Sequence, residues 1–334
     1  MPTHDRPTSA RVRLIDVASA AGVATSTASR VFSNPDRVSR ETAELVRRTA
    51  DALGYRPSDF TRGPTLPGKS IDLMVQDIAN PFFASVIQGA ERQARSAGYS
   101  VMLGITEESA DVERLHITRV MGSVSGFIVA ARGLSDSDLL DLSRRRSVVS
   151  FNREVAGVTS VVLETEQGSR QIIDHLASLG HKHIVYVGGP KLSWSEPRRW
   201  KGISETAALH GITVDRIGPF TPTINQGAAA AETALSRNPT AIVAYNDQLA
   251  IGLVKRLHHL GVDVPGSVSV VGYDDTFGAD FCQPALTTVA SPIVQAGRLA
   301  SDVLIALIEG GPAGNRHTLQ GLLHVRESTA TARR

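Results

Sequence analysis

The sequence holds one cysteine in 334 residues, Cys282, so no internal disulfide can form, and a lone thiol fits a reducing compartment. No apolar run approaches the ~20 residues that a membrane-spanning helix needs. The opening stretch, "MPTHDRPTSARVR", has no apolar centre of the kind a secretory signal requires. The expectation is a cytoplasmic protein with no membrane partner. The nucleophile-elbow pattern G-x-S-x-G and the dinucleotide fingerprint G-x-G-x-x-G are both missing, and no P-loop is expected. Cys282 has no evident base beside it, and reads as structural. Asp274 and Asp275 are adjacent, so on a strand they point apart and cannot pair as acid and base. His181 and His183, in "GHKHIVYVGG", share a strand face without a third ligand, which favours a strand-edge surface pair over a metal site. No enzyme, cofactor or metal is expected.

Lysine is missing from the first 62 residues, which carry ten arginines against seven carboxylates, a balance of +3. The other 272 residues hold 25 basic and 26 acidic side chains, a balance of −1. An arginine-only head on a neutral body points to a polyanion partner for the head. The length suits a small module plus a larger, lobed body, because single cores stop growing at roughly 250–300 residues. Residues 1–11 read as a flexible arm and 12–57 as a helical head, with helices over 14–21, 25–32 and 40–53. Ser39 is placed to cap the third helix and Gly54 to end it. "RPSDFTRGPTLPGKS", with three prolines and two glycines in fifteen residues, makes 58–69 a linker. From 70 to 334 the texture alternates between apolar strands such as "SIDLMVQD", "GFIVAA" and "AIVAYN" and amphipathic helices over 81–97, 109–121, 136–145, 167–179, 195–210 and 247–260. This is an α/β body of parallel sheets wrapped by helices, and two such runs imply two similar lobes.

The stretch "DVASAAGVATSTASRVF" carries the sharper signal. On a helix Thr25, Ser26, Ser29 and Arg30 share one polar face, while Ala24, Ala28, Val31 and Phe32 form the apolar one. The preceding helix offers Leu14, Ile15, Val17, Ala18 and Ala21 to the same small core. Gly22 suits a left-handed position after that helix. Two short helices joined so form a helix-turn-helix, whose second helix lies in the major groove of DNA. Short hydroxyls allow close approach to base edges, and an arginine can grip guanine O6 and N7 with two hydrogen bonds.

"LIDVASAAGV", "NPDRVSRETAELVRRTADALGYRP", "ANPFF", "SFNRE", "RWKGI", "AIVAYNDQLAIG", "VPGSVSVVGYDD" and "PALTTV" together resemble the lactose-repressor (LacI) type of bacterial transcription regulators over about residues 12–328. The resemblance implies an N-terminal all-α helix-turn-helix head, a hinge, and two Rossmann-like lobes of the periplasmic-binding-protein type. It implies a homodimer that binds a pseudo-palindromic operator, and a small-molecule effector, a sugar by expectation, between the lobes. The chain departs from the family at several places. Ala24 stands where a capping serine is usual, and Ala28 where valine is usual. In the hinge Ser58, Thr61 and Pro64 replace asparagine, alanine and a wedging leucine, with Arg62 left for phosphate or minor-groove contact. Gly63 and Pro64 are poor helix residues. Glu164 and Thr165 replace an Asp–Asn pair.

Polar residues gather at the C-terminal ends of the expected strands, the edge where open α/β sheets bind ligands. Asp77, Asn152–Arg153, Asn246–Asp247 and Asp274–Asp275 all fall there, with Phe82 and Phe220 as candidate aromatic faces. The resemblance raises Asp77, Phe82, Arg153, Arg199, Phe220, Asn246 and Asp274 as effector contacts. Phe83 reads as core, and Asn80–Pro81 as a helix start. The expected function is a ligand-controlled, operator-binding repressor. Its rivals are a solute-binding protein, and a sugar-acting enzyme with an appended DNA-binding head.

Overall fold

The computed structural model describes residues 12–33, 37–53, 55, 69–107 and 109–333, in two compact units, Met1–Pro67 and Gly68–Arg334. The hinge positions Ser58, Thr61, Arg62, Gly63 and Pro64, the expected arm and the expected Gly54 stop lie outside the described residues.

In the first unit α1 (Leu14–Ala20), α2 (Thr25–Ser33) and α3 (Arg40–Ala52) enclose a small core of Val17, Ala18, Ala28, Val31, Ala43, Val46 and Ala50. Gly22 adopts φ +67°. Its N–H donates to Ser19 and that of Val23 to Ala18, the paired bonds that close a helix through a left-handed residue. Ser39 accepts from Thr42 N–H, capping α3 as its position suggested. Two expectations fail locally. Ile15 and Ala24 are exposed, Ile15 by 52%. Ile15 lies one position off the Leu14–Val17–Ala18 stripe, and the core closes without it.

The second unit is read in chain order as β1 (Ser70–Val75), α4 (Pro81–Ser96), β2 (Ser100–Ile105), α5 (Ala110–Val120), β3 (Gly126–Val129), α6 (Asp136–Arg145), β4 (Ser147–Phe151) and β5 (Thr159–Glu164). There follow α7 (Glu166–Ser178), β6 (His183–Val187), α8 (Ser195–Leu209), β7 (Thr213–Ile217), α9 (Ile224–Leu235), β8 (Ala241–Ala244), α10 (Asp247–His259) and β9 (Ser269–Asp274). The chain ends through β10 (Thr287–Ala290), α11 (Ile293–Ile308), β11 (Arg316–Gln320) and β12 (Leu322–His324). Two sheets result, ordered β11-β5-β4-β3-β1-β2 and β12-β10-β9-β8-β6-β7, parallel in every described pairing except β10 with β12.

The lobes are similar, but they are not the two successive halves that the rhythm of the sequence suggested. The chain passes between sheets after β5, after β10 and at Gly321, between β11 and β12. Helix α11 therefore returns to the first lobe, where Ile293, Ala296, Ala300 and Leu304 share a core with Phe83, Val86 and Ala90. His181 and His183 are also placed differently from expectation. His181 precedes β6, is buried, and bonds Thr240 Oγ1 (2.9 Å) and the Ala330 carbonyl (3.1 Å), because the chain's tail covers it. His183 meets Asp215 at 3.0 Å. The two are not a surface pair.

Candidate DNA-reading face and interlobe cleft

Thr25, Ser26, Ser29 and Arg30 are all exposed on α2, while Ala28 and Val31 are buried behind them. The backbone carbonyl of Ala24 accepts from Thr27 and Ala28, which places Ala24 at the helix's cap with a methyl that accepts nothing. The helix thus presents a short, polar, arginine-tipped face held by a tight core.

In the second unit a cleft of about 390 Å³ lies between the lobes, a size suited to a small ligand. The first lobe contributes Gln76, Asn80, Phe82, Phe83, residues 130–134, Phe151, Asn152 and Arg153; the second contributes residues 192–195, Arg199, Pro222, Tyr245, Asn246 and Asp274. Asn80 starts α4 by accepting from Phe82 N–H at 3.0 Å, which brings Phe82 to the cleft; Phe83 packs in the core, as expected, but lines the cleft too. Asn246 caps α10 through Leu249 N–H. Arg153 bonds the Leu134 carbonyl at 2.6 Å and pairs with Asp136. Buried Glu113 fixes the loop beneath them, accepting from Gly133 N–H (2.7 Å) and Leu134 N–H (2.9 Å).

Arg199 is the centre of the second lobe's wall. Buried on α8, it donates to Asp274 at 2.7 Å and to the Tyr245 carbonyl, and its guanidinium lies 3.7 Å from the Tyr273 ring centroid. Burial opposes its charge, but Asp274 and the surrounding tyrosines outweigh that and raise its pKa. Asp274, at φ +102°, turns into the cleft, whereas Asp275 turns out to Arg326 and His324, so the pair does point apart. Arg199 Nε is buried and meets no acceptor among the described residues, so it is a donor aimed where a ligand oxygen can complete it.

Five expected contacts therefore line one cleft: Phe82, Arg153, Arg199, Asn246 and Asp274. Asp77 is instead exposed and accepts from Ala79 N–H, and Phe220 packs against the second lobe's core; neither is on the cleft wall. Gln76, Trp194 and Tyr245 line the cleft as well without having been expected there, although each sits beside a strand end or helix start.

Against the expectation of no P-loop, residues 63–70, "GPTLPGKS", do have the letters of that phosphate-binding motif. That loop must open a helix. Here Ser70 opens strand β1, and Lys69 Nζ stands 5.0 Å from the Tyr99 ring centroid. Among the described residues no group of three or more His, Cys, Asp or Glu side chains is placed to hold a metal ion. No described helix is long and apolar enough to cross a membrane.

Residues 13–58 match the model for bacterial regulatory proteins of the lacI family, and residues 173–329 match a periplasmic binding protein-like domain. The chain is 32% identical over 305 residues to the HTH-type transcriptional repressor PurR of Photobacterium profundum, covering 88% of this chain and 91% of that one. The chain belongs to the lacI family of bacterial regulatory proteins. To the HTH-type transcriptional regulator GalR of Escherichia coli it is 30% identical, over 89% of each chain. As a lacI-family member it also superposes on the lac repressor dimer bound to operator and the anti-inducer ONPF, with TM-score 0.73, 26% identity, and coverage of 96% of this chain and 100% of that one. The CelR–cellobiose complex matches with TM-score 0.69 and 28% identity, over 97% and 100% of the two chains. The protein is a ligand-controlled, DNA-binding transcription regulator, and its relatives are regulators rather than enzymes.

Proposed function

We propose that the protein is a cytoplasmic, homodimeric repressor that reads a pseudo-palindromic operator and releases or holds it according to a carbohydrate bound between its lobes. The observation that carries this reading is the Arg199–Asp274 pair in the interlobe cleft. It is a buried, charge-balanced fork of donors and acceptors suited to ring hydroxyls, and it is set on a chain whose α2 exposes Thr25, Ser26, Ser29 and Arg30. Those four residues read bases, with Arg62 of the hinge on the DNA backbone or minor groove. Phe82, Arg153, Arg199, Asn246 and Asp274 hold the effector, and Asp77 and Phe220 reach it only if their segments move.

Two uncovered apolar surfaces support the dimer. On β2, the edge strand of its sheet, Leu103 and Ile105 are exposed by 39% and 44% on one face, and Met102 by 38% on the other. Leu115 is exposed by 50% on α5, which meets β2 through His116 and Gly104. In the second lobe Phe277 and Phe281 stand 79% and 61% exposed, packed edge to face at 4.9 Å. Rings and aliphatic side chains exposed in this way are the composition of an interface core.

The test is selection of bound sequences from a random DNA pool, with and without cellobiose and D-ribose. Enrichment of a two-fold-symmetric site whose yield changes with a sugar supports the reading. No enriched sequence, or cleavage of the sugar, returns the chain to a solute-binding or enzymatic role.

A further inference from the structure

Phe220, one of two aromatic faces expected at the cleft, is turned into the second lobe's core, and Trp194 occupies the wall instead. Trp194 immediately precedes α8, the helix that carries Arg199. One face of its indole is covered by Arg198, whose guanidinium lies 3.6 Å from the ring centroid and donates to the Trp194 carbonyl at 3.0 Å. The residues on either side are pinned. The hydroxyls of Ser193 and Ser195 bond each other at 2.9 Å and the Tyr245 hydroxyl at 2.8 and 3.0 Å, all buried. The indole is thus held before any ligand arrives, and a held ring costs little side-chain entropy on binding. Across the cleft, Phe82 packs against Phe83 and Phe151 at 5.3 and 6.4 Å and supplies a second apolar surface.

We propose that Trp194 is the aromatic platform on which the effector stacks, and that the effector is a saccharide presenting the C–H face of a ring. This rests on the carbohydrate reading above. An apolar ring face against indole, with hydroxyl edges toward Arg199, Asp274 and Asn246, satisfies both halves of the cleft. The chain has two tryptophans, and Trp200 is stacked 5.8 Å from Tyr186, packed against the second lobe's core. A Trp200→Phe variant therefore makes Trp194 the sole indole reporter.

The experiment titrates that variant with a panel of mono- and disaccharides that includes cellobiose and D-ribose, reading indole emission and heat together. A saturable emission change at the calorimetric midpoint is expected. In the otherwise native chain, Trp194→Ala should weaken binding by about tenfold or more, Trp194→Tyr should retain most of the affinity, and Phe220→Ala should change it less than about twofold. Melting curves of each variant confirm folding. Heat of binding with no emission change, or a larger loss from Phe220→Ala than from Trp194→Ala, overturns the platform alone. No heat with any sugar of the panel overturns the carbohydrate reading, and the platform with it.

Discussion

Arg30 stands exposed in the last turn of α2, on the face it shares with Thr25, Ser26 and Ser29. If it grips a guanine, Arg30→Ala costs about 1–3 kcal/mol at the preferred operator; affinity measured on that operator and on a guanine-substituted copy checks this, and equal losses on both would remove Arg30 from base reading. Six residues earlier, Ala24 occupies a cap whose side chain offers no acceptor. Ala24→Ser should stabilise the head by roughly 0.5–2 kcal/mol, seen as a higher melting temperature for the head's transition. Asp247 concerns the body. It is wholly buried and accepts from Thr276 N–H (2.6 Å), Thr276 Oγ1 (3.2 Å) and Thr288 Oγ1 (2.6 Å). Burial, with Asp274 nearby, pushes its pKa up to about 7. An unfolded aspartate titrates near ~3.9, so from there to about pH 7 the folded chain keeps a proton that the unfolded chain has lost. Stability contributed at this group therefore falls as pH rises, by at most about 1.4 kcal/mol per unit. His181, its pKa lowered by burial, acts in the opposite sense and loses stability as pH falls through the ordinary histidine range. Denaturation midpoints at pH 5 and pH 7.5 should show the Asp247 slope in the native chain and its loss in Asp247→Asn. The same slope in both would contradict the assignment.

Helices α4 and α11 approach closely because each has a glycine at the crossing. A Cβ on Gly89 would lie 1.9 Å from the Val294 carbonyl oxygen, and one on Gly297 would lie 2.2 Å from that of Val86. Both obstacles are backbone, so the helices must separate to admit a methyl. Gly297→Ala should cost about 1–3 kcal/mol or more, against the small gain in helix propensity that alanine brings on its own; chemical denaturation decides which term wins. Helices and caps were legible here: Pro81 after Asn80 marked the start of α4, and Ser39 marked that of α3. Helices α9 and α11 and strands β7 and β10 to β12 were not legible in this way. The small-residue texture of "INQGAAAAETAL" carries little periodic contrast in α9, whose buried face is Gly227, Ala230, Ala231 and Ala234, and β12 spans three residues.

At the scale of the molecule, an edge strand with exposed apolar side chains is an invitation to pair with a second chain, and folded proteins commonly blunt such edges with charge. Ile105→Glu places a carboxylate on that surface without disturbing a buried side chain. It should yield monomers by light scattering at micromolar concentration and weaken operator binding, because two heads must be presented together to read two half-sites. A variant that remains dimeric would move the interface to the Phe277–Phe281 surface.

Alone, the sequence determined what depends on neighbours within a turn or two: the helical head and its Gly22 turn, the caps, the polar face of α2, and the alternation that makes an α/β body. Hydrogen bonds and side-chain periodicity along a helix reach three or four residues, so the local letters suffice. The tertiary structure decided whatever required distant segments to meet. It sent α11 and β11 back to the first lobe, laid the Ala330 carbonyl over His181, brought Arg199 and Asp274 together from 75 residues apart, and gave the cleft wall to Trp194 rather than Phe220. Burial is a property of the whole packed chain, and the depth at which each of these side chains lies is set by elements far from it in sequence.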